Sequence, residues 1–237
     1  MLNNLMILAA GRGKRMRHLT DDRPKPLVRV LGKTLLDYVI EHAQKANIQD
    51  IVINTCYMGE MIEESVKRHQ DLHIQISRET EALETGGGVL NALPLLLPLG
   101  KDGFFVANAD PLWIDKTTSV FKQLSDNWDS ETTDILIALI PKAQAFGAVH
   151  SGDYFIENTL PRRKKKEENE APYLFTGIQI LHPRIFKDVE AGVFSLVKLY
   201  DKAQANSRLK AIIYDGDWYH VGTPEALKET EEKLKND

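Results

Sequence analysis

Leu8-Ala9-Ala10-Gly11-Arg12-Gly13-Lys14-Arg15-Met16 sets two glycines and three cations directly after an apolar run. Glycines in such a turn let the backbone approach a ligand and aim its N–H groups at an anion. Arg12 and Arg15 add charge and fork-shaped donors suited to phosphate. The turn is not a Walker loop, because GxxxxGK[ST] is absent. Nor is it a dinucleotide fingerprint, because Met16 stands where the third glycine would be. A Gly-x-Gly turn alone also fits an ordinary strand-to-helix connection. The second signal is Arg23-Pro24-Lys25-Pro26-Leu27, where two prolines hold the chain extended and present Lys25 from a stiff backbone. Asp110 follows an apolar strand, Phe104 to Asn108. At a strand's C-terminal end it reads either as a ligand-binding carboxylate or as the cap of a helix starting near Ile114.

The elements that must position these groups alternate. Strands are expected at Leu5–Ala9, Asp50–Asn54, Leu72–Ser77, Phe104–Asn108 and Asp134–Ile140. Between them lie helices over Thr34–Ala46, Met58–Arg68 and Gly87–Leu97, the last expected to be kinked or shortened by Pro94. Such alternation predicts parallel βαβ units and a doubly wound sheet over roughly the first 140 residues. The later chain reads as a β-hairpin over Gly147–Ile156, turning at Ser151-Gly152-Asp153. Strands follow at Tyr173–Leu181, Leu209–Tyr214 and Trp218–Val221, then a helix capped by Thr223 with Pro224 at its first position. Within Pro161–Ala171, the run Arg162 to Lys166 reads as a solvated, mobile and dispensable loop. Trp113 and Trp218 read as packing residues, and Cys56 as a small core residue.

The 237 residues suffice for one α/β domain with a small lobe. A net charge of −4 provides no basic field for nucleic acid. The single cysteine excludes an intrachain disulfide and suits a reducing cytoplasm. No apolar run reaches the ~20 residues that a spanning helix needs, so no membrane association is expected. The apolar start leads into a glycine turn and reads as a strand rather than a signal peptide.

In this setting the motifs resemble those of the sugar-1-phosphate nucleotidyltransferases. LAAGxGxRM followed by KPL is similar to that superfamily's opening signature. Leu83-Glu84-Thr85-Gly86-Gly87-Gly88 resembles its base-contacting loop, and Asn108-Ala109-Asp110 its metal motif. Phe175-Thr176-Gly177 resembles its sugar-contacting strand, and His220-Val221-Gly222-Thr223-Pro224 its second metal motif. The likeness spans essentially the whole chain. Its length and LETGGG loop look most like the N-acetylmuramate-1-phosphate uridylyltransferases of peptidoglycan recycling. Mannose- or heptose-1-phosphate guanylyltransferases, or a catalytically weak nucleotide-binding protein, are the alternatives.

The resemblance implies a Rossmann-like mixed sheet in a single domain spanning residues 1–237. Its nucleotide part covers about 1–140 and its small sugar-binding β lobe about 141–237. It implies an NTP and a sugar 1-phosphate as small-molecule partners, and leaves room for a homodimer. Leu8, Ala9, Ala10, Gly11, Arg12 and Gly13 would wrap the triphosphate, with Glu84, Thr85, Gly86, Gly87 and Asn108 also on the nucleotide. Arg15, Lys25 and Asp110 would carry the chemistry. Asn54, Glu157, Asn158 and Gly177 are the sugar-side candidates. Asp110 and His220 would hold Mg²⁺, with Mn²⁺ or Co²⁺ as alternatives. Three positions depart from the pattern. His18 stands at a usual proline and Ala109 at a usual glycine or serine. His220 replaces the usual second metal aspartate, and packing beside Trp218 is its other reading.

Overall fold

The computed structural model describes residues 2–147 and 151–236. The chain begins with β1 (Asn4–Leu8), β2 (Arg29–Val30), β3 (Lys33–Thr34), α1 (Leu35–Lys45), β4 (Asp50–Thr55), α2 (Gly59–Val66) and β5 (His73–Arg78). Next come α3 (Glu84–Leu96), β6 (Phe104–Asn108), β7 (Pro111–Ile114), α4 (Val120–Asp126) and β8 (Ile135–Pro141). The remainder contains β9 (Ala145–Gly147), β10 (Tyr154–Glu157), β11 (Leu160–Arg163), β12 (Tyr173–Leu181), α5 (Val197–Ala205), β13 (Leu209–Ile213), β14 (Asp217–His220) and α6 (Pro224–Asn236).

β1 lies between β4 and β6 and is parallel to both, with β5 beyond β4. On the far side of β6 the sheet turns mixed. β12 is antiparallel to β6 and to β8, and β13 pairs parallel with β8. The connections from β1 therefore diverge to its two neighbours, which opens a crevice at the strands' C-terminal ends. The expected doubly wound mixed sheet is present.

Strand alternation sorts the core into two layers. Leu5, Ile7, Ile51, Ile53, Phe105 and Ala107 face the layer that holds Leu36, Val39 and Ile40 of α1. Met6, Val52, Phe104 and Val106 face the layer that holds α3 and α5. α1 forms because its apolar residues recur on one face, and because the Thr34 hydroxyl accepts the Asp37 N–H at 3.1 Å at its start. A third cluster joins Met16, Val30, Leu35, Leu112, Tyr219 and Val221 beneath the glycine turn. Among the described residues, no helix is long and apolar enough to cross a membrane.

Several local expectations change. Pro94 sits inside α3 without ending it, and the helix opens at Glu84, three residues earlier than expected. Residues 111–114 form a strand, not a helix start, because they pair with β14 through Trp113 and Trp218. Residues 148–150 of the expected hairpin lie outside the described residues. The observed hairpin is β10–β11, which turns at Asn158-Thr159, both with positive φ. Residues 161–163 are strand rather than loop. Arg162 binds Glu157 and Glu168, and Arg163 binds Asp201. The first two residues of the basic run are thus folded onto acids, and Lys164 Nζ donates to the Ser151 hydroxyl.

Candidate active site

At the end of β1 the Ala9 N–H donates to Asn54 Oδ1 at 2.7 Å, and the Ala109 N–H donates to the Leu8 carbonyl at 3.1 Å. These bonds fasten the glycine turn to the ends of β4 and β6. Gly13 has φ +71°, and a Cβ there would lie 2.6 Å from the Lys25 Cβ. Only glycine satisfies both the backbone and the lysine stem. After Gly13 the chain forms two short 3-10 turns, Lys14–Thr20, pinned by the fully buried Met16.

Lys25 starts the 3-10 turn Lys25–Leu27 and is 7% exposed. Its Nζ donates to Asp110 Oδ2 at 2.8 Å, across the crevice. Burial alone would raise the Asp110 carboxyl. The charge and hydrogen bond of Lys25, then His220 and Arg15, outweigh it and hold the group below the ordinary carboxylate value. Asp110 is therefore an anion facing two cavities.

The larger cavity, about 450 Å³, is lined by Leu8, Ala9, Ala10, Gly11, Gly13, Lys14, Arg15, Lys25, Asn54, Glu79, Glu84, Thr85, Asn108 and Asp110. The smaller, about 270 Å³, is lined by Arg15, Asn108, Asp110, Asp153, Phe175, Thr176, Gly177, Trp218 and His220, among others. Arg15, Asn108 and Asp110 belong to both. Gly177, φ +83°, lets β12 pass Asn108, whose Nδ2 would be 2.9 Å from an added Cβ. The Trp218 and His220 rings stack with centroids 5.9 Å apart.

Not every expected residue joins these cavities. Arg12 lies outside the larger one, with its guanidinium 5.0 Å from the Tyr57 ring centroid. Gly86 and Gly87 lie behind the wall. A Cβ on Gly86 would meet the Phe194 ring at 2.3 Å, and one on Gly87 the Gly192 carbonyl at 2.2 Å. Their small size admits another stretch of chain rather than a base. Asn54 lines the larger cavity rather than the smaller, with its amide spent on Ala9 and on Glu79 Oε1. Glu157 and Asn158 line neither cavity. Glu157 is held by Arg162, and Asn158 forms the hairpin turn.

Sequence reasoning missed Glu79 and Asp153, and gave Lys14 of the glycine turn no role of its own. Glu79, 8% exposed, accepts from Asn54 and from the Leu83 N–H, bracing the 79–84 loop. Asp153 reaches the smaller cavity while its Oδ2 accepts the Phe175 N–H at 2.9 Å. The Gly152-Asp153 pair signalled only a turn. Among the described residues, no group of three or more His, Cys, Asp or Glu side chains comes together to hold a metal. Asp110 and His220 are two donors in one cavity. Magnesium ordinarily takes one or two protein carboxylates and fills its shell with phosphate oxygens and water, a demand that Asp110 meets.

Comparison with known proteins gives a family match: nucleotidyl transferase, over residues 4–237. The chain is 36% identical over 234 residues to the N-acetylmuramate alpha-1-phosphate uridylyltransferase of Caulobacter vibrioides, covering 97% of this chain and 96% of that protein. It is 29% identical over 224 residues to the mannose-1-phosphate guanylyltransferase catalytic subunit beta of Drosophila pseudoobscura pseudoobscura, covering 92% of this chain and 59% of that one. The inositol-1-phosphate CTP transferase of T. maritima shares the fold, with a TM-score of 0.81 at 17% identity, over 99% of this chain and 95% of that one.

Proposed function

The chain belongs to the nucleotidyl transferase family and is a nucleotidyltransferase, and from that premise we propose that it transfers uridylyl from UTP to N-acetylmuramate 1-phosphate. The observation that supports this reading is the wall of Arg15, Asn108 and Asp110 common to two cavities. Two substrates that must react at one phosphorus need such a meeting place. The triphosphate lies along residues 8–15 in the larger cavity, with its base toward Glu84 and Thr85. The sugar phosphate enters the smaller cavity against Gly177 and Asp153. One of its oxygens attacks the α-phosphorus in line. A new P–O bond forms, the bond to the pyrophosphate oxygen breaks, and its electron pair leaves with pyrophosphate.

The protein's part is positioning and charge neutralisation. Lys25 is a cation whose direction is fixed by burial and by Asp110. Arg15 neutralises charge where the two cavities meet. Asp110 and His220 would hold a divalent cation, which when bound neutralises phosphate charge. We place the reaction in the cytoplasm, in a single domain whose nucleotide and sugar parts divide near residue 140.

The test measures pyrophosphate release from purified protein given each NTP with a panel of sugar 1-phosphates. UTP with N-acetylmuramate 1-phosphate is expected to be the best pair. Equal kcat/KM for UTP and GTP, or preference for mannose 1-phosphate, would replace this reading with a guanylyl one.

A further inference from the structure

Behind Glu84 and Thr85 runs an irregular segment, residues 190–196, between a 3-10 turn at Pro183–Phe186 and α5. Val193 is 56% exposed, but Phe194 beside it is 8% exposed and packs in the α3 layer of the core. Four hydrogen bonds join this strap to the start of α3. The Gly86 and Gly87 N–H groups donate to the Phe194 carbonyl at 2.9 and 3.1 Å, and the Phe194 N–H donates to the Leu83 carbonyl at 3.2 Å. The Leu196 N–H donates to the Thr85 hydroxyl at 3.0 Å. α3 has no side-chain cap. Two of its otherwise partnerless first-turn N–H groups are thus satisfied by a carbonyl more than a hundred residues away, and are closed to a phosphate.

Glu84 has φ 58°, a region sparsely populated for non-glycine residues, and such a conformation persists only where the surroundings enforce it. The surroundings here are Glu79, which accepts the Leu83 N–H, and the strap, which binds residues 83, 85, 86 and 87. The Phe194 ring fills the space that any side chain on Gly86 would need, and the Gly192 carbonyl does the same at Gly87. The wall formed by Glu84 and Thr85 therefore cannot retreat while Phe194 is in place.

We propose that Phe194 is a positioning residue for base selection, holding the Glu84–Thr85 wall in place against the base. This rests on the reading that the larger cavity takes the nucleotide. The test compares the KM for UTP, the KM for sugar phosphate and the UTP:GTP ratio of kcat/KM. It does so in wild type, Phe194→Ala, Phe194→Leu, Gly86→Ala and the double variant Gly86→Ala/Phe194→Ala. Phe186→Ala, which removes a buried ring from the same core layer, is the control. Phe194→Ala should raise the UTP KM about tenfold, narrow the UTP:GTP ratio about tenfold and move the sugar KM by less than about twofold. Phe194→Leu should recover most of both losses. In the double variant the methyl that Gly86→Ala introduces enters the ring space and keeps only its contact with the Phe194 carbonyl at 2.9 Å, so the two losses should sum to less than their separate values.

If Phe194→Ala does not fold, the leucine variant and Gly86→Ala carry the comparison. Unchanged UTP KM and base ratio, the same profile as Phe186→Ala, or additive losses would overturn the inference and leave the nucleotidyl reading intact. A wild type inactive with every NTP would remove both.

Discussion

Around the larger cavity, the loops that carry its side chains are tied back into the buried sheet. Met16 is fully buried, Ala9 hangs on Asn54, and Asn54 in turn binds the buried Glu79. At the outer end of the smaller cavity, beside Asp153, the ties are ion pairs nearer the surface: Arg162 with Glu157 and, part-buried, with Glu168, and Arg163 with Asp201. Buried apolar anchors fix geometry strongly, whereas exposed pairs contribute little and weaken with salt. The wall of the larger cavity is thus fixed by buried anchors, whereas the outer end of the smaller one is held by ties nearer the surface.

The largest test of that contrast is at the larger cavity. Lys25→Ala and Arg15→Ala should each lower kcat by roughly a hundred- to a thousandfold, the usual cost of one charge-stabilising donor. Both should leave the circular dichroism spectrum unchanged, and near-normal kcat/KM in either would remove that residue from the cradle. Met16→Ala attacks the anchor itself. It should cost about 2–5 kcal/mol in urea unfolding and raise the UTP KM. An unchanged midpoint would mean that the turn is held otherwise.

A smaller effect is expected at His220. His220→Asp should lower the Mg²⁺ concentration giving half-maximal rate several-fold, and move the Mn²⁺ value less, because magnesium prefers hard oxygen ligands. Identical metal ratios in the two proteins would assign His220 to packing beside Trp218.

The smallest effect is local. Glu168 accepts hydrogen bonds from Arg162 and from the Lys165 N–H, which depress its carboxyl to about 2 from an ordinary 4.5. A depressed carboxyl stabilises above its ordinary value, so this tie should weaken as pH falls from about 4.5 toward 2. Hydrogen-exchange protection at Lys165 should drop across that window while the β1 amides hold theirs. Simultaneous loss in both would mean that the loop and the core unfold together.

The glycine turn, the proline-framed lysine and the carboxylate after β6 were legible because each is a local pattern beside an apolar strand. β7 was not, since Pro111–Ile114 becomes a strand only through β14, a hundred residues away. The turn residues of the later hairpin misled for a similar reason. Gly152-Asp153 looked like the tighter turn, yet Asn158 and Thr159 take the positive φ angles. Gly86 and Gly87 announced that something comes close, but not that it is Gly192 and Phe194. Arg12 shows the same limit, because it lies over the Tyr57 ring and outside the lining of the larger cavity.

Among the described residues, the β10–β11 hairpin meets the large sheet at one register position, Tyr154 opposite Tyr173. Further ties run to α5, where Arg163 binds Asp201 and its N–H donates to Gln204 Oε1. A change of length at the Asn158-Thr159 tip therefore falls outside the lining of both cavities.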